Sequence, residues 1–393
     1  MKYLNIDDIE VKDKTIFIRV DLNTTIKNGK PLISPRIKEH AKSIANLALK
    51  NAKVVVLAHQ GRKGEDDFTA LDKHAKLLEK EVKKINKKLK VSFVDDVCGP
   101  KSIEKIKSLK PGEILLLQNT RFLDCETEYE KTQKCEIVDN LEPLCDAFVL
   151  DAFSVAHRAH ASVVGFKKPI KVAGPVLQKE LEALEKFQQT KEKVVMILGG
   201  AKIKDSAKIL EYWLENKNVE FVLVGGLVGV FLAKLNGAKI RQTIDVEEEV
   251  AQRLRDSLQK HKNKIILPSD FLVNLEKPKV YSTNQEIDFE CFDIGPNTIE
   301  EFSKIIKQAE LILMNGPMGV YEKRGFEKGT KKILEAIANS KAFSLIGGGN
   351  SAEAIEKLKL NKKKFGYISL SGKAFIEYLM KGNLVGIEQL KKL

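Results

Sequence analysis

One pattern constrains this chain more than any other. Short, nearly all-apolar runs rich in Val, Ile and Leu alternate from end to end with longer stretches of helical periodicity. In the first half the strand-like runs are 15–20, 53–58, 91–94, 113–118 and 147–150; in the second they are 193–198, 219–224, 264–267, 311–314 and 342–346. Helical spacing marks 36–49, 70–89, 246–261 and 329–339. Strands that are apolar throughout, rather than at alternate positions, fit parallel sheets covered on both faces by helices. So many strands overfill one twisted sheet, so the pattern predicts an α/β chain of two βα domains. The seam is expected near 167–178, where KKPIKVAGPVLQ carries two Pro and a Gly.

Composition narrows the class. A chain of 393 residues can bury a core that needs no disulfide staples. Five cysteines without a C-x-x-C pair, and only six His, argue against structural zinc and for a reducing compartment. The start MKYLNIDDIE lacks the layout of a signal peptide, and the longest apolar run, 221–233, contains three Gly and is too short to span a bilayer. A soluble, cytoplasmic protein with no membrane partner is expected. The net charge of +13 suits nucleic acid, an anionic surface or small anionic substrates. Yet lysine runs such as 80–90 (KEVKKINKKLK) read as solvated helix faces, with Val82, Ile85 and Leu89 at helical spacing. No aromatic-interleaved basic stripe, zinc finger or RRM signature appears, so no nucleic-acid partner is expected.

In doubly wound sheets, ligands sit outside the carboxyl ends of the strands. In the first half those ends are polar and basic: Asp21 and Asn23, then His59 and Arg62, then Arg121, then Asp151 with His157 and Arg158, joined by Arg36 at a helix start. Arg is scarce here beside Lys, and its planar fork suits carboxylate and phosphate. The first half therefore reads as a site for a small polyanion. In the second half the strand ends are glycines: Gly199-Gly200-Ala201-Lys202, Gly225-Gly226, Asn315-Gly316, and Gly347-Gly348-Gly349-Asn350-Ser351 opening a helix. Glycines let backbone N–H groups approach phosphates, and a helix N-terminus favours anions. Neither a Walker A pattern nor G-x-G-x-x-G followed by an acidic residue is present. A polyanion half and a nucleotide half together predict phosphoryl transfer, with domain closure bringing donor and acceptor into line.

RVDLN, HQGR, QNTRF, DAFSVAHRAHAS, LGGAK, DIGPNT, NGPMGVYE and IGGGNSAEA, in this order over nearly the whole chain, resemble the phosphoglycerate kinases, in particular those of the archaeal type. The resemblance implies two Rossmann-like three-layer α/β/α domains with parallel sheets, joined by a hinge helix. It implies a phosphoglycerate-binding domain over 1–172, a nucleotide-binding domain over 173–380 and a tail, 381–393, that can pack back on the first domain. It implies reversible, glycolytic phosphoryl transfer between 1,3-bisphosphoglycerate and ADP, giving 3-phosphoglycerate and ATP, with Mg2+. By resemblance, Asp21, Asn23, Arg36, His59, Arg62, Arg121, His157 and Arg158 form the phosphoglycerate site. Arg36 and Lys202 match positions that stabilise the moving phosphoryl. Gly199, Gly200, Lys202, Gly226, Asn315, Glu322, Gly347, Gly348, Gly349, Asn350 and Ser351 match the nucleotide side, with Asn350 at the position tied to the nucleotide-bound metal. The chain also departs from the family. The usual lysine four residues after Lys202 is Ser206, the Trp before NGPMG is Met314, an Asp is replaced by Asn350, and a Gly-rich loop reads Ser369-Leu370-Ser371-Gly372-Lys373-Ala374. Those departures keep a second reading open, a non-catalytic relative that binds anions or a protein partner. The sequence sets no oligomeric state.

Overall fold

The computed structural model describes residues 3–392. It divides into two compact units, one made of the residues up to Glu182 with those from Asn383 onward, the other of Ala183–Gly382.

The first unit is built on six parallel strands: β1 (Thr15–Arg19), β2 (Lys53–Leu57), β3 (Val91–Phe93), β4 (Ile114–Leu116), β5 (Ala147–Leu150) and β6 (Ile170–Ala173), in the order β3-β4-β2-β1-β5-β6. Its helices are α1 (Pro35–Leu49), α2 (Asp72–Ile85), α3 (Pro100–Ser108), α4 (Cys125–Thr132), α5 (Glu136–Leu141) and α6 (Pro175–Gln188), the last running on into the second unit. α1 begins where the Ser34 hydroxyl accepts from the Ile37 amide and Pro35 supplies a preset φ. Its Ile37, Ala41, Ile44 and Ala48 recur at helical spacing and cover Ile16, Ile18, Val54 and Val56 on one face of the sheet. The intervening Phe17 and Phe148 point to the other face, where Phe166 packs against both, with ring centroids 5.7 and 4.9 Å away.

Several sequence expectations change here. The helix expected over 70–89 is Asp72–Ile85. Asn86 is extended (φ −147°) and its side chain accepts from the Lys88 amide, so a turn ends the helix. Leu89 is buried from that turn, while Ile85 is exposed. The stretch expected as a seam contains β6, which pairs with β5. β6 is also tied to the end of the chain: the Lys391 amide donates to Lys171 O at 2.8 Å, and the Leu4 amide donates to Lys391 O at 2.9 Å. Cys125 and Cys135 form a disulfide. Nothing in their spacing hints at it, because the pairing depends on Gln133 ending α4 in the left-handed region (φ +52°) and turning the chain back.

The second unit has a six-stranded parallel sheet and a three-stranded antiparallel one. Its strands are β7 (Val194–Leu198), β8 (Val219–Val224), β9 (Ile265–Ile266), β10 (Asp270–Val273), β11 (Lys279–Ser282), β12 (Cys291–Ile294), β13 (Leu311–Asn315), β14 (Phe343–Gly347) and β15 (Tyr367–Ile368). The larger sheet runs β9-β8-β7-β13-β14-β15 and the smaller β11-β10-β12. The helices are α7 (Ile203–Asn216), α8 (Gly226–Leu235), α9 (Glu248–Lys260), α10 (Pro296–Gln308), α11 (Lys328–Asn339), α12 (Gly349–Lys357) and α13 (Lys373–Lys381). With helices packed on the six-stranded parallel sheet of each unit, the α/β architecture read from the sequence is the one observed.

Trp213, on α7, is the largest fully buried side chain, and among the described residues its indole N–H finds no hydrogen-bond partner. Trp213→Ala should destabilise the second unit by about 3–5 kcal/mol, the usual cost of emptying a large aromatic site. Trp213→Phe should cost clearly less, since both variants remove the unpaired donor and the phenyl ring leaves much the smaller cavity. Urea unfolding followed by circular dichroism checks both; equal losses would show that the volume filled by the ring does not set the cost at this site.

Candidate active site

Parallel strands deliver the residues that follow β1, β2, β4 and β5 to one edge of the first sheet. There Arg36 Nη1 lies 3.2 Å from Asp21 Oδ2 and donates to Asn23 O at 3.3 Å. Asp21 also accepts from the Ser154 hydroxyl and, at 3.0 Å, from the Asn23 amide. Asn23 Oδ1 in turn accepts from the Gly61 amide at 2.9 Å, and Arg121 donates to Gly61 O. The loops after β1, β2 and β4 are thus laced together by the side chains the sequence singles out. Arg158 Nε donates to His157 Nε2 at 3.2 Å, so both nitrogens of this pair are oriented by one contact. Arg62 is the outlier: it is exposed, with Glu65 3.8 Å away.

Burial raises the Asp21 carboxyl, but Arg36 and the Ser154 hydroxyl outweigh it and hold Asp21 well below the usual carboxylate range. Burial, together with the neighbouring Arg19 and Arg121, pushes His59 well below its ordinary value. The ring is therefore neutral at physiological pH. Its tautomer follows from its partner: Arg19 Nη2 lies 3.0 Å from His59 Nδ1, and a guanidinium can only donate. Nδ1 accepts, and the proton sits on Nε2. Burial and the proximity of Arg158 and Arg19 bring Arg121 down to about 10, still charged at neutral pH. Arg158 is lowered by burial and by Arg62. The cluster is crowded with positive charge held close to the surface, which suits an incoming polyanion.

Three members of this region escape the sequence reading. Arg19 is fully buried at the end of the central strand; Glu126 and Ser162 are fully buried beneath Arg121. The one available signal is the Arg that closes the otherwise apolar run TIFIR.

In the second unit, β7, β8, β13 and β14 also end at one edge, and the glycine loops after β7, β8 and β13 pack backbone against backbone. Gly226 (φ +56°) would place a Cβ 2.5 Å from the Gly200 amide, and Gly316 (φ +91°) one 2.3 Å from Gly199 O, so only glycine fits either position. These loops differ from the expectation in one respect. The N–H groups of Gly199, Gly200 and Gly226 are already donated, to Asn315 O, Pro317 O and Met318 O. That of Gly316 is donated to the Ser351 hydroxyl at 3.0 Å. Here glycine serves the close approach of loops rather than an open N–H cradle. The amides of Gly349, Asn350 and Ser351 are in the first turn of α12, where no intrahelical acceptor exists. The Asn315 side-chain oxygen lies beside Gly348, and Gly347 packs against the Phe375 ring. Lys202 is the exposed N-cap of α7; Glu322 and Asn350 are exposed. Ser206 is buried and faces no solvent.

Among the described residues no group of three or more His, Cys, Asp or Glu is arranged to hold a metal ion. Mg2+ carried on nucleotide phosphates needs only one or two protein oxygens. Asn350, exposed on the first turn of α12, has one to offer, so the residues fit such an ion.

The sequence matches the family described as "Phosphoglycerate kinase" over residues 6–382. It is 38% identical to a phosphoglycerate kinase of Methanopyrus kandleri, over 98% of this chain and 96% of that protein. It is 39% identical to one of Pyrobaculum aerophilum, over 95% and 92% respectively. The crystal structure of phosphoglycerate kinase from Pyrococcus horikoshii superposes with a TM-score of 0.89 at 32% identity, covering 98% of each chain.

The titrating groups of the two units predict opposite responses to acid. In the first unit, burial depresses His59, His74 (to about 4) and His160 (to about 3). Unfolded, each titrates near 6.5, so below that pH the unfolded chain binds protons that the folded one does not. Stability of this unit should fall as pH drops from about 6.5 toward 4, by up to about 1.4 kcal/mol per pH unit for each His. In the second unit, burial raises Asp293 to about 7, against the Gly329 and Ile294 amides that donate to it. Its contribution is full below about pH 4 and is lost as pH rises to 7, with the more exposed His261 opposing it weakly. Hydrogen exchange at pH 7 and pH 5, corrected for intrinsic rates, should show protection falling in β1 and β2 and holding or rising in β13 and β14. Asp293→Asn should abolish the rise.

Proposed function

The chain belongs to the phosphoglycerate kinase family, and on that footing we propose how its side chains divide the work. Its reaction is reversible phosphoryl transfer between 1,3-bisphosphoglycerate and ADP, giving 3-phosphoglycerate and ATP, a step of glycolysis. Nothing observed favours a catalytically silent relative. The observation that carries the residue assignment is the convergence of Arg36, His59, Arg121 and Arg158 on one sheet edge, around a carboxylate already engaged by Arg36.

In this reading Arg121 and Arg158 take the phosphate of 3-phosphoglycerate, where a guanidinium fork matches two phosphate oxygens. His59 donates from Nε2 to an oxygen of the substrate; a neutral imidazole can do so without drawing a proton from solvent. Asp21 and Asn23 fix Arg36 and accept from the substrate hydroxyl, while Arg62 and His157 complete the rim. Arg36, aimed by Asp21, counters the charge that builds up at the reacting carboxyl. On the nucleotide side, Lys202 is the corresponding cation. Gly199, Gly200, Gly226 and Gly347 shape the surface against which ADP or ATP lies. The first-turn amides of Gly349, Asn350 and Ser351, with Gly348 and Asn315 beside them, take phosphate oxygens. Glu322 accepts from a ribose hydroxyl. Mg2+ bound to the nucleotide would take the side-chain oxygen of Asn350 and neutralise phosphate charge. No helix among the described residues is long and apolar enough to cross a membrane, and the proposed location is the cytoplasm, with 3-phosphoglycerate and nucleotide as the partners.

A coupled assay with ATP and 3-phosphoglycerate tests the activity. Within it, Arg36→Ala should lower kcat by about 10²–10³ while changing the KM for 3-phosphoglycerate much less, because an interaction made in the transition state shows in kcat. A rise in KM with kcat nearly intact would make Arg36 a binding residue only. Asn350→Asp should lower the Mg2+ concentration for half-maximal rate at fixed ATP, since a carboxylate is the stronger ligand for a hard cation. An unchanged or higher requirement would assign Asn350 to the helix terminus alone.

A further inference from the structure

Beneath the arginines lies a buried polar chain that the scheme above does not use. Glu126, on the first turn of α4, has no exposed surface. Its Oε1 accepts from the Ser162 hydroxyl at 2.5 Å and from the Thr120 hydroxyl at 3.3 Å, and its Oε2 accepts from the Ser162 amide at 2.8 Å. The Ser162 hydroxyl has one proton, which it gives to Glu126, so it receives Arg19 Nε, 2.8 Å away, as an acceptor. Arg19 then donates onward to His59 Nδ1. The direction of each bond from Glu126 through Ser162 and Arg19 to His59 is thereby assigned. A second branch is shorter: Thr120 opens the one-turn segment Thr120–Phe122, whose next residue is Arg121. Ser162 itself sits in a π-helical turn, Ala161–Gly165, that follows the strand-end loop bearing Arg158.

We propose that Glu126 is a positioning residue for the phosphoglycerate site, holding Arg19 and Arg121 in place through Ser162 and Thr120 without touching the substrate itself. The inference rests on the reading of His59 and Arg121 as phosphoglycerate ligands. Its physical basis is repulsion. Arg158 lowers the proton affinity of both Arg19 and Arg121, and Arg19 lowers that of Arg121, while Glu126 acts in the opposite sense on both Arg19 and Arg121. Arg19 is walled in and cannot leave. Arg121 keeps 9% of its surface exposed and is held on the outer side only by its bond to Gly61 O, so it is the group that would swing out if the countercharge were removed. A fork that departs loses contact-distance bonds to the phosphate, and the more positive background left behind does not replace their geometry.

The test is Glu126→Gln, which keeps volume and removes charge, beside Ser162→Ala, which keeps the charge but cuts the hydroxyl link to Arg19. Calorimetric affinity for 3-phosphoglycerate and the KM of each substrate are measured for both. Glu126→Gln should weaken 3-phosphoglycerate binding about tenfold or more, and Ser162→Ala roughly threefold, with the KM for ATP unchanged. Wild-type or tighter 3-phosphoglycerate binding in folded Glu126→Gln overturns the proposal. So does a parallel rise in both KM values, which marks general loosening. If Glu126→Gln does not fold, Ser162→Ala decides, and wild-type affinity there is the overturning result. Arg121→Ala separates the two levels. Weakened binding in Arg121→Ala with none in Glu126→Gln refutes only the positioning role, whereas wild-type affinity in Arg121→Ala refutes the site reading and this proposal together.

Discussion

The register of the central strands determines most of what this protein can do. In the first sheet Arg19 of β1 stands opposite Leu57 of β2 and Leu150 of β5. The residues that follow all three strands therefore leave the sheet at one level, which is how Asp21, His59 and Asp151 arrive together from distant parts of the sequence. In the second sheet Leu198 stands opposite Val224 and Asn315, and Asn315 opposite Gly347. A slip of one residue would move every side chain of the slipped strand to the opposite face of the sheet, into packing made for other side chains, and would also move one loop out of line with its neighbours. Core packing and site geometry are therefore held by the same backbone hydrogen bonds.

That frame supports an arrangement the side chains would not adopt unaided. Several guanidiniums share a small volume, and a histidine among them is held neutral. The repulsion is offset by buried carboxylates: Asp21 is engaged by Arg36, and Glu126 acts through hydroxyls. The second unit solves a different problem, bringing three loops so close that side chains have no room. One sheet edge is made of charge and the other of close backbone packing.

What the sequence discloses, it discloses through repetition and chemistry. Strands buried on both faces declare themselves as continuous apolar runs, and Arg121 and Arg158 stand out because Arg is otherwise rare. β6 and the three-stranded sheet escape notice because each strand is four residues long and mixes charged with apolar positions, as in Lys279–Ser282. Arg19, Glu126 and Ser162 escape because their partners are remote; Arg19 and Ser162 are 143 residues apart, and no local pattern encodes that pair. The glycine clusters are legible as loops, but whether their amides are free depends on which neighbouring loop arrives to accept from them. Gly199, Gly200 and Gly226 are engaged in this way.

The path of the chain has a consequence for its synthesis. Residues 183–382 form the second unit without interruption, whereas the first unit is completed only by residues from Asn383 onward. Those residues supply the backbone partner of Lys171 on β6, and the Gly386 amide donates to Ala156 O in the loop that leads to Arg158. During translation the second unit is fully made before they exist. The part of the protein that is made first is thus the last to be finished, and through the whole intervening stretch of elongation β6 lacks its bond from Lys391 and the loop before Arg158 its bond from Gly386.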